Sequence, residues 1–385
     1  MGVLKKNLFN PFKRSNRRLE KTRNAVLLVS AYKKGVLFVR KTTWNSVAVT
    51  LYAVVLAFTV VLPVHAQSKN FYEGKTITFL VGSSAGGGTD LTARLLARHL
   101  ERYIPGKPRI DVANKPGAGG MIAANDLYNL KKPDGLSIST LNTGSLFATA
   151  TGNTAIKFDL QKFLWVGQAF DDAQVLYLKT ATEYTSFDAI RKANKEGKQP
   201  KMGAQALDHT SNVVVKIAEQ IFGLDFQVIP GYPGTPQILL DIERGALDGR
   251  AQGIGSLMAT RRDWIKNGYI KIFATSRKRR DPRVSNIATM EELAPAGSKG
   301  LLQALYSGQT LARSVVLPPG VPADRVKTLR DAFAAMTKDD QFQKEAEKLG
   351  LEIDLIRGEE MNRDIEGTLR DKRLMDLYRM IASAK

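Results

Sequence analysis

Short apolar runs alternate with longer segments of helical periodicity along the chain after residue 67. A short apolar run bounded by polar or glycine residues is typical of a buried strand, whereas apolar residues spaced three and four apart indicate an amphipathic helix. The pattern predicts strands at 76–81, 109–112, 137–141, 164–167, 175–178, 201–204, 226–229, 249–252, 270–274 and 314–317. It predicts helices at 89–103, 119–129, 210–222, 235–244, 256–267, 325–335 and 340–349. Strands that alternate with helices in this way favour an α/β protein with mostly parallel sheets.

The order of these elements predicts two lobes, the first built from two separate segments of the chain and the second from one. The polar, helix-like segment 182–200 opens a second series of strand–helix units, and the basic segment 275–282 is typical of a surface return. We therefore predict a first lobe built from 68–170 plus 277–385 and a second lobe built from 171–276. The chain would then cross between the lobes twice, near residues 169–172 and 274–276. Two crossings form a natural hinge for closure around a ligand.

The first 66 residues have the composition of an export signal. Residues 42–67 contain no charged side chain, Arg40 and Lys41 precede the apolar run 47–62, and Val64-His65-Ala66 ends it with small or modest side chains. These features predict a secretory signal peptide over 1–66, cleaved after Ala66, and therefore a periplasmic protein. The alternative is an inner-membrane anchor formed by residues 46–66, because the run approaches the length that spans a bilayer.

The basic region ahead of the apolar run is longer than an ordinary signal requires. A true translation start near residue 39 would restore the usual length. It would have to use a non-AUG codon, because the chain has no methionine between Met1 and Met121. The basic stretch 1–41 is also compatible with an arm for nucleic acid or anionic lipid.

The distribution of charge and the absence of cysteine argue against several classes of function. The formal net charge of the 385 residues is +20, but the first 66 residues hold twelve Lys or Arg and one acid, which leaves +9 for the rest. That remainder has no basic stripe interleaved with aromatic residues, so no nucleic-acid partner is expected. The absence of cysteine excludes disulfides, thiolate metal sites and a cysteine nucleophile.

The most informative segment is a glycine loop that follows the predicted strand 76–81 and opens a helix. Glycines at such a place let the backbone approach a ligand, and the helix N-terminus favours an anion. Thr89 and Asp90 could instead cap the helix without contacting a ligand. The glycines could instead serve only to form a tight turn between the strand and the helix. The candidate ligand-binding residues in this loop are Ser83, Ser84, Gly86, Gly87, Gly88, Thr89 and Asp90.

A second glycine turn repeats the arrangement after the predicted strand 109–112. Its candidates for presenting N–H groups to a carboxylate are Pro116, Gly117, Ala118 and Gly119. Neither loop matches a nucleotide-binding template. Residues 82–88 lack the spacing G-x-G-x-x-G, and Gly88 is followed by Thr89 and Asp90 rather than by the lysine of a P-loop.

Two loops of the second lobe are expected to face the first lobe across a cleft, because ligands in α/β sheets lie beyond the carboxyl ends of strands. The loop after the predicted strand 201–204 supplies the candidates Ala204, Gln205, His209 and Thr210. His209 would donate to an anion or remain solvated at the helix start. Tyr232, in the next loop, would cover the ligand or pack at the edge of the cleft.

The sequence offers little support for enzyme chemistry. Of the three histidines, His65 belongs to the signal, His99 lies within a predicted helix and His209 stands apart from the other two. No His/acid cluster has metal-ligand spacing, and no G-x-S-x-G motif is present. We therefore predict a protein that is not an enzyme and uses no cofactor or metal.

Several motifs together resemble one family. The segments 79–90 and 114–120, Pro133-Asp-Gly135, Gly245-Ala-Leu-Asp248 and Leu317-Pro-Pro-Gly-Val-Pro322 are similar to those of the Bug (TctC-like) substrate-binding receptors of tripartite tricarboxylate transporters. The resemblance implies a type II periplasmic-binding-protein fold, in which two βα lobes surround a ligand cleft and a two-strand hinge joins them. It also implies that loops 83–90 and 116–120 grip a carboxylate, that Thr143 and Ser145 line the same wall, and that a two-component membrane permease receives the ligand.

The chain departs from the family pattern at two places. Gly82-Ser83-Ser84 replaces the Pro-Phe-Pro that family members commonly have, which removes an aromatic wall and adds two hydroxyls. Gln252 aligns with an acidic position of the family, so the case for an amino-acid ligand is weaker. Arg250 would either clamp a second carboxylate or be a surface residue.

These observations predict a monomeric periplasmic solute-binding protein that captures a small mono- or dicarboxylate, aliphatic or aromatic, for a transporter of the tripartite tricarboxylate type. The alternatives are a receptor that presents its ligand to a membrane signalling system and an enzyme on a doubly wound fold.

Overall fold

The computed structural model describes residues 70–171, 173–309 and 311–383. The predicted signal peptide, the alternative anchor at 46–66 and the alternative start near residue 39 all lie outside the described residues. In the described part of the chain, no helix is both long and apolar enough to cross a membrane.

Strands and helices alternate along most of the described chain. The strands are β1 (Thr76–Val81), β2 (Arg109–Asn114), β3 (Ser137–Leu141), β4 (Leu164–Phe170), β5 (Gln174–Lys179), β6 (Lys201–Gly203), β7 (Gln227–Ile229), β8 (Gly249–Gly253), β9 (Ile270–Thr275), β10 (Ser314–Leu317) and β11 (Ile353–Arg357). The helices are α1 (Gly88–Tyr103), α2 (Met121–Leu130), α3 (Gly144–Ala150), α4 (Phe187–Lys195), α5 (Thr210–Phe222), α6 (Thr235–Glu243), α7 (Ile254–Lys266), α8 (Met290–Leu293), α9 (Lys299–Gln309), α10 (Ala323–Met336), α11 (Asp340–Lys348), α12 (Gly358–Arg370) and α13 (Lys372–Ser383).

The strands form two sheets. The first has six strands in the order β11-β4-β10-β3-β1-β2, and the second has five in the order β7-β6-β8-β5-β9. We use "first lobe" for the layers on the six-stranded sheet and "second lobe" for those on the five-stranded sheet. The predicted α/β class is confirmed, whereas the residue boundaries of the lobes stay a prediction.

The prediction of mostly parallel sheets is wrong, because both sheets are mixed. Strands β10 and β11 run against β1–β4, and β5 runs against β6–β9. The reversal follows from the path of the chain. Strands β5 and β10 are the first strands after each crossing between the sheets, and each enters its sheet in the direction opposite to that of its neighbours.

The two crossing segments lie side by side. Only residues 171–173 separate β4 from β5, and β9 ends immediately before Ser276. The backbone N–H of Ser276 donates to the carbonyl of Gln174 at 2.8 Å, and the N–H of Gln174 donates to Ser276 Oγ at 2.7 Å. The two lobes are therefore joined by a paired hinge.

Alternating side chains of the sheets contribute to different apolar cores. In β5, Leu176 and Leu178 belong to one core, while Val175 and Tyr177 face another. The first of these cores, which we term the shared core, spans both sheets. Helix α5 of the second lobe packs there against α3, α9 and α13. The opposite faces of the two sheets have separate cores.

Candidate functional site

A cavity of about 60 Å³ lies between the two lobes. It is enclosed where the loops after β1, β2 and β3 of the first lobe meet the loops after β6 and β8 of the second. Polar residues and glycine dominate its wall. The lining residues are Gly82, Ser83, Thr89, Gly119, Gly120, Thr140, Leu141, Asn142, Gln174, Gln205, His209, Thr210, Ser211, Thr235, Arg250, Gln252, Gly253, Ser256 and Arg313.

Asp90 holds the first glycine loop in shape. Its buried carboxylate accepts hydrogen bonds from the backbone N–H of Gly86 at 2.9 Å, from Arg94 Nε at 3.0 Å and from Asn114 Nδ2 at 2.8 Å. Burial alone would raise the pKa of Asp90, but these hydrogen bonds and the charge of Arg94 outweigh it and leave the pKa below its usual value. The carboxylate is thus ionised and fully engaged within the first lobe.

The second glycine turn has an unusual backbone. Four consecutive residues, Gly117 to Gly120, all have positive φ, including Ala118 at 45°. Such a run brings the chain close to its neighbours, because it lacks side chains at three of the four positions. A Cβ on Gly119 would stand 3.0 Å from the Cβ of Ala206, so this turn touches the second lobe directly.

The glycine loop of the first lobe is in direct contact with the second lobe. A Cβ on Gly88 would stand 2.0 Å from Ser256 Oγ and 2.8 Å from its Cα. A Cβ on Gly234 would stand 2.0 Å from Ser84 Oγ, and the N–H of Ser84 donates to the carbonyl of Pro233 at 3.0 Å. The cleft is therefore closed, with backbone packed against backbone at its rim.

His209 caps helix α5 and lines the cavity. Its Nδ1 accepts a hydrogen bond from the backbone N–H of Ser211 at 3.2 Å, so the ring proton belongs on Nε2. Burial, and to a smaller extent the positive charge of Arg250, lowers the pKa of His209 to about 3. His209 is consequently a neutral hydrogen-bond donor at physiological pH.

The neutrality of His209 can be tested by NMR. We expect its ring nitrogens to show the neutral Nε2–H form near pH 5, since the pKa lies well below that of an exposed histidine. The resonances would be assigned by their loss in the His209→Asn variant. A titration with a midpoint near the ordinary value of 6.5 would contradict the lowered pKa.

Arg250 is part of the cavity wall rather than a surface residue. It lies on β8 with only 2% of its surface exposed. Its Nε donates to the carbonyl of Ala251 at 3.1 Å, but its buried Nη1 has no hydrogen-bond partner. No ion pair joins Arg250 to an acid within the described residues. Burial lowers the pKa of Arg250, partly offset by Tyr177, yet a guanidinium remains cationic at neutral pH.

Gln252, on the same strand face as Arg250, is held at both ends of its amide. Its Oε1 accepts from the hydroxyl of Tyr177 at 2.9 Å, and its Nε2 donates to Ser256 Oγ at 2.9 Å. These bonds fix the amide orientation at the cavity wall. A second arginine in the wall, Arg313, donates from Nη1 to Thr92 Oγ1 at 3.0 Å.

The sequence-predicted site residues other than Asp90 separate into three groups. The structure brings Ser83, Thr89, Gly119, Gln205, His209, Thr210 and Gln252 together around the cavity. Others lie beside it. Ser84, Gly86, Gly87 and Gly88 form the contact between the lobes, and Pro116, Gly117 and Ala118 line a neighbouring groove with Tyr232.

Three further candidates are buried away from the cavity. Thr143 donates to the carbonyl of Gly308 at 2.8 Å, Ser145 lies within α3, and the backbone of Ala204 bonds to Ile229 and Tyr232. Direct contact of any candidate with a ligand stays a prediction. The sequence prediction offered Arg250 as either a carboxylate clamp or a surface residue, and the structure places it in the wall. It did not include several other lining residues, namely Gly82, Gly120, Thr140, Leu141, Asn142, Gln174, Ser211, Thr235, Gly253, Ser256 and Arg313.

Among residues 70–171, 173–309 and 311–383, no group of three or more His, Asp or Glu side chains is arranged to hold a metal ion.

Comparison with protein families identifies the chain. Residues 92–377 match the model of the tripartite tricarboxylate transporter family receptor, TctC. The chain belongs to this receptor family. A TctC receptor is a solute-binding protein.

Curated relatives and solved structures agree with membership of the TctC family. The protein UPF0065 in the gbd 5′ region of Cupriavidus necator is 26% identical over 76% of this chain and 83% of the relative. BugT of Bordetella pertussis is 24% identical over 59% of this chain and 68% of BugT.

The solved structures share the fold. The periplasmic binding protein BugD superposes with a TM-score of 0.67 at 20% identity, covering 80% of this chain and 98% of BugD. MatC from Rhodopseudomonas palustris with bound malate gives a TM-score of 0.66 at 18% identity, covering 80% of this chain and 99% of MatC. The predicted periplasmic-binding-protein fold, with two lobes around a cleft, is confirmed.

Proposed function

We propose that this TctC receptor captures a small carboxylate in the periplasm and delivers it to a two-component permease of the tripartite tricarboxylate type. The observation that carries the proposal is the charge of the cavity wall. Arg250 is a buried cation without an acid partner, and no Asp or Glu is among the lining residues of the described chain. An uncompensated buried cation favours an anionic ligand.

Uncharged donors in the wall support the same ligand class. His209 is neutral and carries its proton on Nε2, Ser83 Oγ is buried without a hydrogen-bond partner, and Gly119 and Gly120 expose backbone to the cavity. A carboxylate has four lone-pair sites that such donors satisfy. Malate in MatC and adipate in a second Rhodopseudomonas palustris protein, Rpa4515, are consistent with an acid ligand here.

Binding without turnover is part of the proposal, as are a monomeric state and export by cleavage after Ala66. The mass of the protein recovered from the periplasm would test the cleavage site. A mass that includes residues 46–66 would favour the anchored form.

The ligand class is tested by calorimetric titration and thermal shift of the purified full-length chain. The panel consists of monocarboxylates, dicarboxylates, amino acids, sugars and nucleotides. An acid present at 100 times its Kd is expected to stabilise the protein by about 2.7 kcal/mol, a clear rise in Tm. Binding of sugars or nucleotides alone would overturn the proposal. Chemical conversion of a bound acid would show that the protein is an enzyme and not a receptor.

A further inference from the structure

We propose that Arg250 forms a second acid subsite, so that the preferred ligand is a short dicarboxylate with one acid group at the glycine loops of the first lobe and the other at Arg250 of the second. This inference rests on the proposed function and makes it more specific. It assigns a specificity-determining role to a strand residue, whereas the loops alone would accept any small carboxylate.

The hydrogen bonds of Arg250 leave part of its guanidinium without an acceptor. Nε is engaged by the carbonyl of Ala251, but Nη1 is buried and unpartnered. No acid of the described residues pairs with Arg250, and the neutral amide of Gln252 beside it is already bound to Tyr177 and Ser256. A carboxylate placed against the guanidinium supplies both the missing acceptor and the missing negative charge.

A separate set of donors lies on the first-lobe side of the cavity. Thr89 stands in the first turn of α1, a helix of 16 residues, and the buried hydroxyl of Ser83 just before it has no partner. Gly119 and Gly120 line the same wall. The helix N-terminus and an unsatisfied hydroxyl suit a first carboxylate, and these donors belong to a different lobe from Arg250.

The size of the cavity limits the distance between the two acid groups. A volume of about 60 Å³ has room for roughly four to six water-sized groups. Bonded atoms lie closer together than waters do, so malonate or succinate fits this length, whereas adipate requires the lobes to move apart. A ligand that bridges the lobes through both ends would also stabilise their closure.

The test compares succinate with its monoamide, succinamate, by calorimetric titration on the wild type, Arg250→Met and Arg250→Lys. In the wild type we expect succinate to bind about 100-fold more tightly, the size of a lost buried charge pair. In Arg250→Met the two ligands are expected to bind equally, and Arg250→Lys should restore part of the preference. Arg244→Met, which changes an exposed arginine of the same lobe, is the matched control and should keep the full preference.

Stability of the unliganded variants distinguishes a binding role from a structural one. Because Arg250 has no acid partner among the residues that the structure describes, Arg250→Met should unfold at the same temperature as the wild type or higher. A lower Tm together with unchanged succinate affinity would overturn the inference. Equal affinity of the wild type for succinate and succinamate would also overturn it while leaving the carboxylate receptor intact. Failure of every acid to bind the wild type would instead overturn the proposed function.

Discussion

In the Gly88→Ala variant, the ligand is expected to bind about 10- to 100-fold more weakly than in the wild type, with little change in Tm of the unliganded protein. A Cβ at position 88 would stand 2.0 Å from Ser256 Oγ and 2.8 Å from Ser256 Cα across the cleft. Relieving such a contact requires a backbone shift that costs roughly 1–3 kcal/mol. The cost arises only when the lobes close, so it reduces the population competent to bind.

The measurements for this variant are ligand affinity by calorimetry and the radius of gyration by small-angle X-ray scattering. The variant should be more expanded than the wild type. Gly367→Ala is the matched control, because Gly367 lies within α12, and a Cβ there would have open space. That control should keep wild-type affinity and compactness. Wild-type affinity in Gly88→Ala would contradict a closed cleft as the binding state.

Replacing Asp281 with asparagine is expected to lower the free energy of unfolding by about 3–5 kcal/mol at neutral pH. Asp281 is fully buried beside the hinge. Its carboxylate accepts hydrogen bonds from Arg277 Nη1 at 3.1 Å and from Arg283 Nη2 at 2.6 Å, Nε at 2.8 Å and backbone N–H at 2.9 Å. Each carboxylate oxygen accepts two hydrogen bonds, so whichever oxygen becomes the amide NH₂ would face two buried N–H donors and leave them without an acceptor. Arg277 keeps its ion pairs with Asp171 and Glu352 in the variant. Urea denaturation would measure the loss.

The pH dependence of this loss has a defined sign. Burial alone would raise the pKa of Asp281, but the hydrogen bonds and charges of Arg283 and Arg277 hold it below the usual value of 3.8. The stabilisation is therefore present in full above about pH 4 and declines as the pH falls through the lower pKa of the folded state. The wild type and the variant should converge in acid. The exposed ion-pair variant Asp331→Asn serves as control, and a loss as small as in that control would contradict the prediction.

Elements with a strong apolar period could be predicted from the sequence with their ends. The predicted bounds of β1, β3, β10 and α5 coincide with the observed ones. By contrast, β11 was not predicted, because the sequence Ile353-Asp-Leu-Ile-Arg357 forms a half-buried edge strand without a clear apolar run. Helices α12 and α13 were missed for a related reason, since their exposed faces are charged and they bury only a narrow apolar side.

The part of the site that could be predicted is the part marked by a local sequence pattern. Strand, glycine loop and helix occur in succession at residues 76–103, so the loop could be found from spacing alone. Arg250 could not be placed in this way. A polar residue on a strand points to one face or the other, and only the register with Tyr177 on β5 and the packing of α7 decide that this face is buried. Ser256 and Gly88 are far apart in the sequence and meet only across the cleft, so no local sequence pattern could predict their contact.

The unequal packing on the two faces of the sheets has a consequence for exchange of the solute. On one face of the sheets, the shared core continues from α5 to α9 and α13 and joins the two lobes through apolar contacts. On the other face the separate cores of α1 and α7 meet through Gly88 and Ser256, which bury little apolar surface. We therefore expect the lobes to separate along this margin and the solute to enter and leave there. Substitutions of Ser84 or Gln237, whose side chains bond across the margin, should therefore change the association and dissociation rates together.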